Sequence, residues 1–444
     1  MSAVVDESSA AAVAGAFLDR DDVIETATTS PSARSGAYLG AGRAAEQGAY
    51  GVAMLILAAR MGPTSYGPVA AVFLANSIAL TLADLGVAHD LLRWPSGRSY
   101  PRRTVQLQRG INLVAGMAGA VVGSFVGGSV GLVILFAALL WATGGETYLR
   151  QAVALRGGRI RAHVVADVVS AVVLVVAVAV WAKGGHGLVV CGSALVVHHL
   201  LVVLCLPLPR DSIDGPGTGH PVGFLANHTL AFFTRNTDYV LVGPLLGPTA
   251  FANYVLGFRV ASAPSAPLGA VVLRWGLARL ASEDDEHRES TNRRALLVLA
   301  AVGLLGAIVT IAIGLLLPRV IGEQWKGAAA VAVVLAWTLP WRFLEGMIEA
   351  LGFTVNASAL MVRFEAIRLV GTAITLVLGA WVGAGGFVAA VVLAAIASVT
   401  IGHLIVSKVA GLRPSYWIVA AAPVAIIAAT ILSHLLVNPV LTGG

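Results

Sequence analysis

The chain has 444 residues, 57% of them hydrophobic and only 12% charged, with a net charge of +6. A soluble domain carries about 25% charged residues, so the composition excludes a water-soluble fold and indicates an integral membrane protein. The basic residues lie between apolar runs, which fits the positive-inside rule and speaks against a nucleic-acid partner.

Residues 1–35 form an acidic tail, with Asp6, Glu7, Asp19, Asp21, Asp22 and Glu25 among Ala, Ser and Thr. It lacks the basic start and apolar core of a signal peptide and reads as a disordered cytoplasmic segment. A spanning helix needs about 20 mostly apolar residues. Thirteen runs qualify: 36–60, 66–92, 108–126, 129–149, 162–182, 187–206, 222–244, 250–280, 295–317, 327–352, 359–382, 386–407 and 414–437. None alternates polar and apolar as barrel strands do. The predicted fold is an all-α polytopic membrane protein.

Orientation follows from Lys and Arg in the connections. Arg93, Arg98, Arg102, Arg103 and Arg109 join spans two and three; Arg150, Arg156, Arg159 and Arg161 join four and five. Arg288, Arg293 and Arg294 join eight and nine; Lys408 and Arg413 join twelve and thirteen. The alternate connections hold only Lys183, Arg319 and Lys326. The N-terminus is therefore expected in the cytoplasm and Gly444 outside, in a bacterial inner membrane.

A short signature occurs twice. Gly62-Pro63-Thr64-Ser65-Tyr66 returns as Gly247-Pro248-Thr249-Ala250-Phe251, and the apolar stretches that follow end in Leu92-Arg93-Trp94 and Leu273-Arg274-Trp275. Self-similarity at a fixed offset marks duplicated architecture. Both turns fall on the external side with an even number of spans between them, so the halves run parallel. The expected plan has a six-helix bundle over 36–206, a Gly/Pro-rich cytoplasmic linker over 207–221 and a second six-helix bundle over 222–408. An extra helix and external C-terminus occupy 409–444, and a pseudo-two-fold axis along the membrane normal relates the bundles.

Ionisable groups within the apolar layer are costly and by default face a bundle interior or wet cavity. Span one has Arg43 and Glu46; span two, Asp84; span seven, Arg235, Asn236 and Asp238 beyond Asn227 and His228. Span eight has Arg259; span ten, Arg342, Glu345 and Glu349 on one face at i, i+3 and i+7; span eleven, Arg363, Glu365 and Arg368. Arg43, Glu349, Arg363 and Glu365 lie near cytoplasmic ends and read as snorkelling groups. Arg43–Glu46 and Arg342–Glu345 also read as internal ion pairs that fix packing. Arg235, Arg259, Arg342 and Arg368 lie deeper and suit a cavity for an anion, because guanidinium forks match phosphate oxygens in bidentate fashion.

Pro264 and Pro267 in span eight, and Pro340 in span ten, predict bends, either gating or fixed. His198 and His199 in span six, with Asp167 in span five, read as polar packing ahead of a proton relay. Cys191 and Cys205 lie about 21 Å apart along one helix and cannot pair with each other. No P-loop pattern is present, so ATP hydrolysis is not expected, nor is any metal or other cofactor.

Three stretches resemble the polysaccharide-export transporters of the multidrug/oligosaccharidyl-lipid/polysaccharide superfamily, which include O-antigen-type lipid-linked oligosaccharide flippases. The first is Leu57-Ala58-Ala59-Arg60-Met61-Gly62-Pro63-Thr64-Ser65-Tyr66-Gly67 with Ala83-Asp84-Leu85-Gly86. The second is Asn236-Thr237-Asp238-Tyr239-Val240-Leu241-Val242-Gly243 with Leu246-Gly247-Pro248 and Tyr254. The third is Ile321-Gly322-Glu323-Gln324-Trp325. The likeness runs over about residues 36–408; the family usually has twelve or fourteen spans, and the thirteenth here departs from that.

The resemblance implies a flippase that carries a polyprenyl-(pyro)phosphate-linked glycan from the cytoplasmic to the external leaflet by alternating access. Arg235, Arg259, Arg342 and Arg368 would hold the phosphate or pyrophosphate. Glu46, Asp84, Asp238 and Glu345 would balance charge or couple a proton or sodium ion. Asn227, Asn236, Tyr239 and Trp337 would contact the glycan, and cell-envelope assembly enzymes would be partners. Three other classes stand beside this one: a drug/cation antiporter of the same superfamily, a membrane-embedded glycan polymerase or glycosyltransferase, and a non-transporting scaffold. The short external connections argue against the polymerase, and the arginine-rich interior against the antiporter.

Overall fold

In lipid every backbone polar group must find a partner within the segment or its neighbours, and each of the thirteen apolar runs carries helix. The computed structural model describes residues 33–93, 99–182, 186–206, 208, 222–263, 265, 280, 285–355 and 358–441. The first half comprises α1 (Ala33–Arg60), α2 (Pro63–Leu82), the short α3 (Val87–Arg93), α4 (Arg102–Val126), α5 (Gly128–Arg156), α6 (Ile160–Trp181) and α7 (Gly187–Cys205). The second comprises α8 (Val222–Leu246), α9 (Pro248–Ser262), α10 (Asp285–Ile321), α11 (Lys326–Ala336), α12 (Leu339–Thr354), α13 (Ser358–Trp381) and α14 (Ala384–Val409). After them come α15 (Tyr416–Leu432), a π turn (Ser433–Val437) and α16 (Asn438–Leu441). The acidic tail before Ala33, the linker apart from Leu208, Pro264, Pro267 and Leu273-Arg274-Trp275 lie outside the described residues.

Nine of these helices are long and apolar enough to cross a membrane, and α11 with α12 makes a tenth candidate bent by 49°. Helices α1, α8 and α9 fall outside that count. The first carries Arg43, Glu46 and Gln47; the second carries Asn227, His228, Arg235, Asn236 and Asp238; and α9 is described over only 15 residues.

The packing repeats. In the first half α1 lies on α6, α2 and α4 on α5, and α5 and α6 on α7. In the second half α8 lies on α13, α9 on α11, α10 on α11 and α12, and α12 and α13 on α14. Thus α1, α2, α4, α5, α6 and α7 match α8, α9, α10, α11–α12, α13 and α14, while α2 and α9 meet each other across the centre. Exposed Trp181 and Trp381 close the matching helices α6 and α13, as expected of aromatic side chains at a membrane interface.

Two spans are broken: span two, where the sequence predicts continuous helix, and span ten, where Pro340 predicts a bend. The run 66–92 stops at Leu82 because Leu85 and Gly86 adopt φ of 50° and 78°. The freed groups find partners: Asn112 Nδ2 donates to the Ala83 carbonyl at 2.7 Å, and the Ala88 amide donates to Asp84 Oδ1 at 2.8 Å. Span ten breaks at Trp337–Thr338, ahead of Pro340 at the second position of α12, where a missing N–H costs little. Gly303 of α10 lets the two backbones meet there, since a Cβ on it would lie 2.6 Å from Pro340 Cα.

The two halves are stitched at the Gly-Pro-Thr end. Gly322, at φ 111°, opens the turn that turns Trp325 inward. Trp325 is fully buried, donates Nε1–H to the Ala58 carbonyl at 2.8 Å and stands edge-on to Tyr66 with centroids 5.2 Å apart. Gln324 Nε2 donates to the Met61 carbonyl at 3.4 Å, and the Thr64 and Thr249 hydroxyls are 3.3 Å apart. The extra helix docks on α14: Ser433 Oγ donates to the Gly385 carbonyl at 2.6 Å, and the Gly385 amide donates to Asn438 Oδ1 at 2.7 Å.

Candidate functional site

A cavity of about 460 Å³ lies within the second half. Helix α8 contributes Thr234, Arg235 and Asp238; α12 contributes Arg342, Glu345 and Glu349; α13 contributes Arg368 and Thr372; and α14 supplies the apolar wall of Val391, Ala394, Ala395 and Val399. The spacings explain the convergence, since residues three, four and seven apart share a helix face.

Most of the charge is already matched. Arg235 pairs with Glu349. Arg368 Nη1 bonds Glu345 Oε1 at 2.6 Å and Glu365 Oε1 at 3.2 Å. Asp238 accepts from the Tyr239 amide at 2.9 Å and from the Tyr254 hydroxyl. Helix α8 kinks nearby at Asn236, whose φ of −127° and ψ of 16° leave the helical region. Arg342 differs: its guanidinium carbon sits over the Phe258 ring, 4.6 Å from the centroid, and among the described residues it is in no ion pair. Breaking a largely enclosed pair leaves an uncompensated charge, so Arg368 is held; the more exposed Arg235 is engaged by Glu349, and Arg342 is left available to a ligand.

Three of the four deep arginines, Arg235, Arg342 and Arg368, come together with Asp238 and Glu345. Arg259 does not line the cavity; it is half-buried on α9, and its Nε has no hydrogen-bond partner among the described residues. Glu46 is buried in the first half, 3.9 Å from His198 Nε2. Asp84 is buried at the α2–α3 turn, where it holds the Ala88 amide. The Asn227 and Arg43 side chains lie outside the described residues. Asn236 donates back to the Phe232 carbonyl at 2.8 Å. Tyr239 packs on Phe258 with centroids 4.6 Å apart, and Trp337 packs at the break in span ten. None of these last three lines the cavity.

Other expectations shift. Glu349 and Glu365, read as snorkelling groups, pair with Arg235 and Arg368, and Glu349 lines the cavity. The expected Arg342–Glu345 pair is replaced by Arg368–Glu345. His199 bonds Asn76 Oδ1 at 2.8 Å, and Gln151 bonds Asp167 at 2.9 Å, a polar packing network of the first half. Cys191 is buried and Cys205 exposed. The i, i+7 position of Glu349 relative to Arg342 was the one available sign of its place. Phe258 carried none, because an aromatic residue in an apolar helix is unremarkable until something charged sits on its face.

A family model described as "Polysaccharide biosynthesis protein" matches residues 56–330. No curated protein matches the chain in sequence. Solved structures share its fold, two of them as follows. One is an inward-facing multidrug resistance MATE family transporter of the MOP superfamily, 17% identical, covering 82% of this chain and 95% of that one, with a TM-score of 0.55. The other is an outward-facing transporter of the same description, 16% identical, covering 86% and 96%, with a TM-score of 0.57. At that identity the likeness speaks for the arrangement of helices alone. The family match spans the seam, α8 and α9 together, and on it the chain belongs to the polysaccharide biosynthesis protein family, with an all-α fold shared with those two transporters.

Proposed function

We propose that the protein is a flippase that moves a polyprenyl-(pyro)phosphate-linked glycan from the cytoplasmic to the external leaflet of a bacterial inner membrane. The observation that carries this reading is Arg342: an arginine in no ion pair among the described residues, facing a cavity with charged side chains on one side and an apolar wall on the other, in a member of a polysaccharide biosynthesis family. A phosphate takes such a guanidinium in bidentate fashion. The ion pairs Arg235–Glu349 and Arg368–Glu345 tie α8 to α12 and α12 to α13, so the second half moves as a unit.

By the positive-inside bias the Gly-Pro-Thr turns are external, so the seam of Thr64, Thr249 and Trp325 closes the outer side in the state described here. Substrate enters from the cytoplasm with its phosphate at Arg342 and its lipid tail in the bilayer; the halves then part at the seam. Sugar hydroxyls find donors and acceptors in the paired Arg235, Glu349, Arg368 and Glu345. Arg259 and Glu46 lie outside the cavity in this state and are reached only if the halves rearrange. A proton or sodium ion would couple through Asp238 or Glu345.

The test is depletion of the protein followed by mass spectrometry of extracted lipids, with an external glycosidase to report the leaflet. One protected polyprenyl-linked glycan accumulates if the reading holds. No accumulation, with export of cationic dyes by the purified protein in vesicles, assigns the drug/cation antiporter instead.

A further inference from the structure

Phe258 lies on α9 and contributes nothing to the cavity lining, yet the Arg342 guanidinium carbon stands over its ring at 4.6 Å. The ring is buried and held in place: Tyr239 abuts it edge-on with centroids 4.6 Å apart, and Tyr254 lies tilted at 6.0 Å. Those two tyrosines are fixed in turn by Asp238, through the Tyr239 amide and the Tyr254 hydroxyl. Each of the other two cavity arginines is aimed by a carboxylate, which occupies N–H donors. A cation over a ring face is attracted by the ring quadrupole, and among the described residues no hydrogen-bond acceptor takes the Arg342 N–H groups.

We infer that Phe258 is the positioning residue that makes Arg342 the phosphate-receiving arginine of the cavity: the ring holds the guanidinium in place while its donors stay free for the ligand. This rests on the phosphate reading given above and deepens it. It also gives Asp238 a role: the carboxylate fixes the aromatic group on which Arg342 rests, in place of a direct contact with substrate.

The experiment replaces Phe258 with phenylalanine carrying one, two or three ring fluorines in the purified full-length protein. Fluorination weakens the negative ring face while nearly keeping shape, and thermal unfolding midpoints confirm that each protein is folded. Binding of farnesyl pyrophosphate, a short polyprenyl pyrophosphate without glycan, is measured by calorimetry, in parallel with the same series in an Arg342→Ala background. The dissociation constant is expected to rise stepwise to about fivefold weaker, the equivalent of about 1 kcal/mol at 1.4 kcal/mol per tenfold, and Phe258→Trp to bind at least as tightly as the parent. In the Arg342→Ala background the series is expected to be flat. A flat series in the parent while Arg342→Ala has lost binding overturns the role of Phe258 and leaves the phosphate reading standing. The same slope in both backgrounds also overturns it. Binding by Arg342→Ala equal to the parent removes the phosphate reading itself.

Discussion

Thr64 and Thr249 are the same residue of two copies of one turn, 185 positions apart, and their hydroxyl oxygens lie 3.3 Å from each other. A residue that touches its own repeat partner lies on the axis that relates the repeats. The seam is therefore built where the two halves share one surface, and parting it separates α2 from α9.

With Thr64→Cys and Thr249→Cys in a Cys205→Ala background, oxidation is expected to cross-link the turns, since the side chains lie within disulfide reach. Transport should fall to background and return on reduction. Full transport by a cross-linked protein would show that the seam does not open in the cycle.

Trp325→Phe keeps the aromatic packing on Tyr66 but removes the N–H donated to the Ala58 carbonyl. Losing a hydrogen bond of that kind shifts an equilibrium by about 1 kcal/mol, or about fivefold, here toward the parted seam. A membrane-impermeant maleimide applied to a Met61→Cys reporter should react correspondingly faster in the variant; an unchanged rate would place the closing interaction elsewhere.

Arg368 is 11% exposed and answers two carboxylates. Arg368→Ala leaves both mostly enclosed carboxylates unmatched, which costs up to about 3–5 kcal/mol. Arg235 is 51% exposed, so solvent screens its pair with Glu349 and Arg235→Ala should cost about 1 kcal/mol or less. Arg342→Ala removes no ion pair found among the described residues and should be near neutral for stability while abolishing transport. Thermal unfolding in detergent, run beside a transport assay, separates the three; a large loss of stability for Arg342→Ala would place it in the scaffold.

A Cβ on Gly385 would lie 2.4 Å from Asn438 Oδ1 and 3.0 Å from the Ser433 carbonyl. Gly385→Ala should force the C-terminal turn off α14 at a cost of about 1–3 kcal/mol, and Asn438→Ala in the same chain should recover part of it. Protease sensitivity of the C-terminal segment reads the effect. An unaltered digest would mean the clip yields without strain.

The membrane setting, the helical fold and the duplication were legible in the sequence because each is written locally: apolar run length, the lysine and arginine bias, a repeated turn. Even the ionised residues of span ten announced a shared face through their spacing. What the sequence left open was which charge answers which. Arg368 takes Glu345 from Arg342, Glu349 joins Arg235, and Tyr254 settles on Asp238. These choices depend on how α8, α9, α12 and α13 are set against one another, and in a low-dielectric interior a shift of a few ångströms decides whether two charges are a pair. For the same reason Arg259, equal to the others on paper, lies apart from the cavity, and Phe258, silent in the sequence, holds the cavity arginine that is in no ion pair among the described residues.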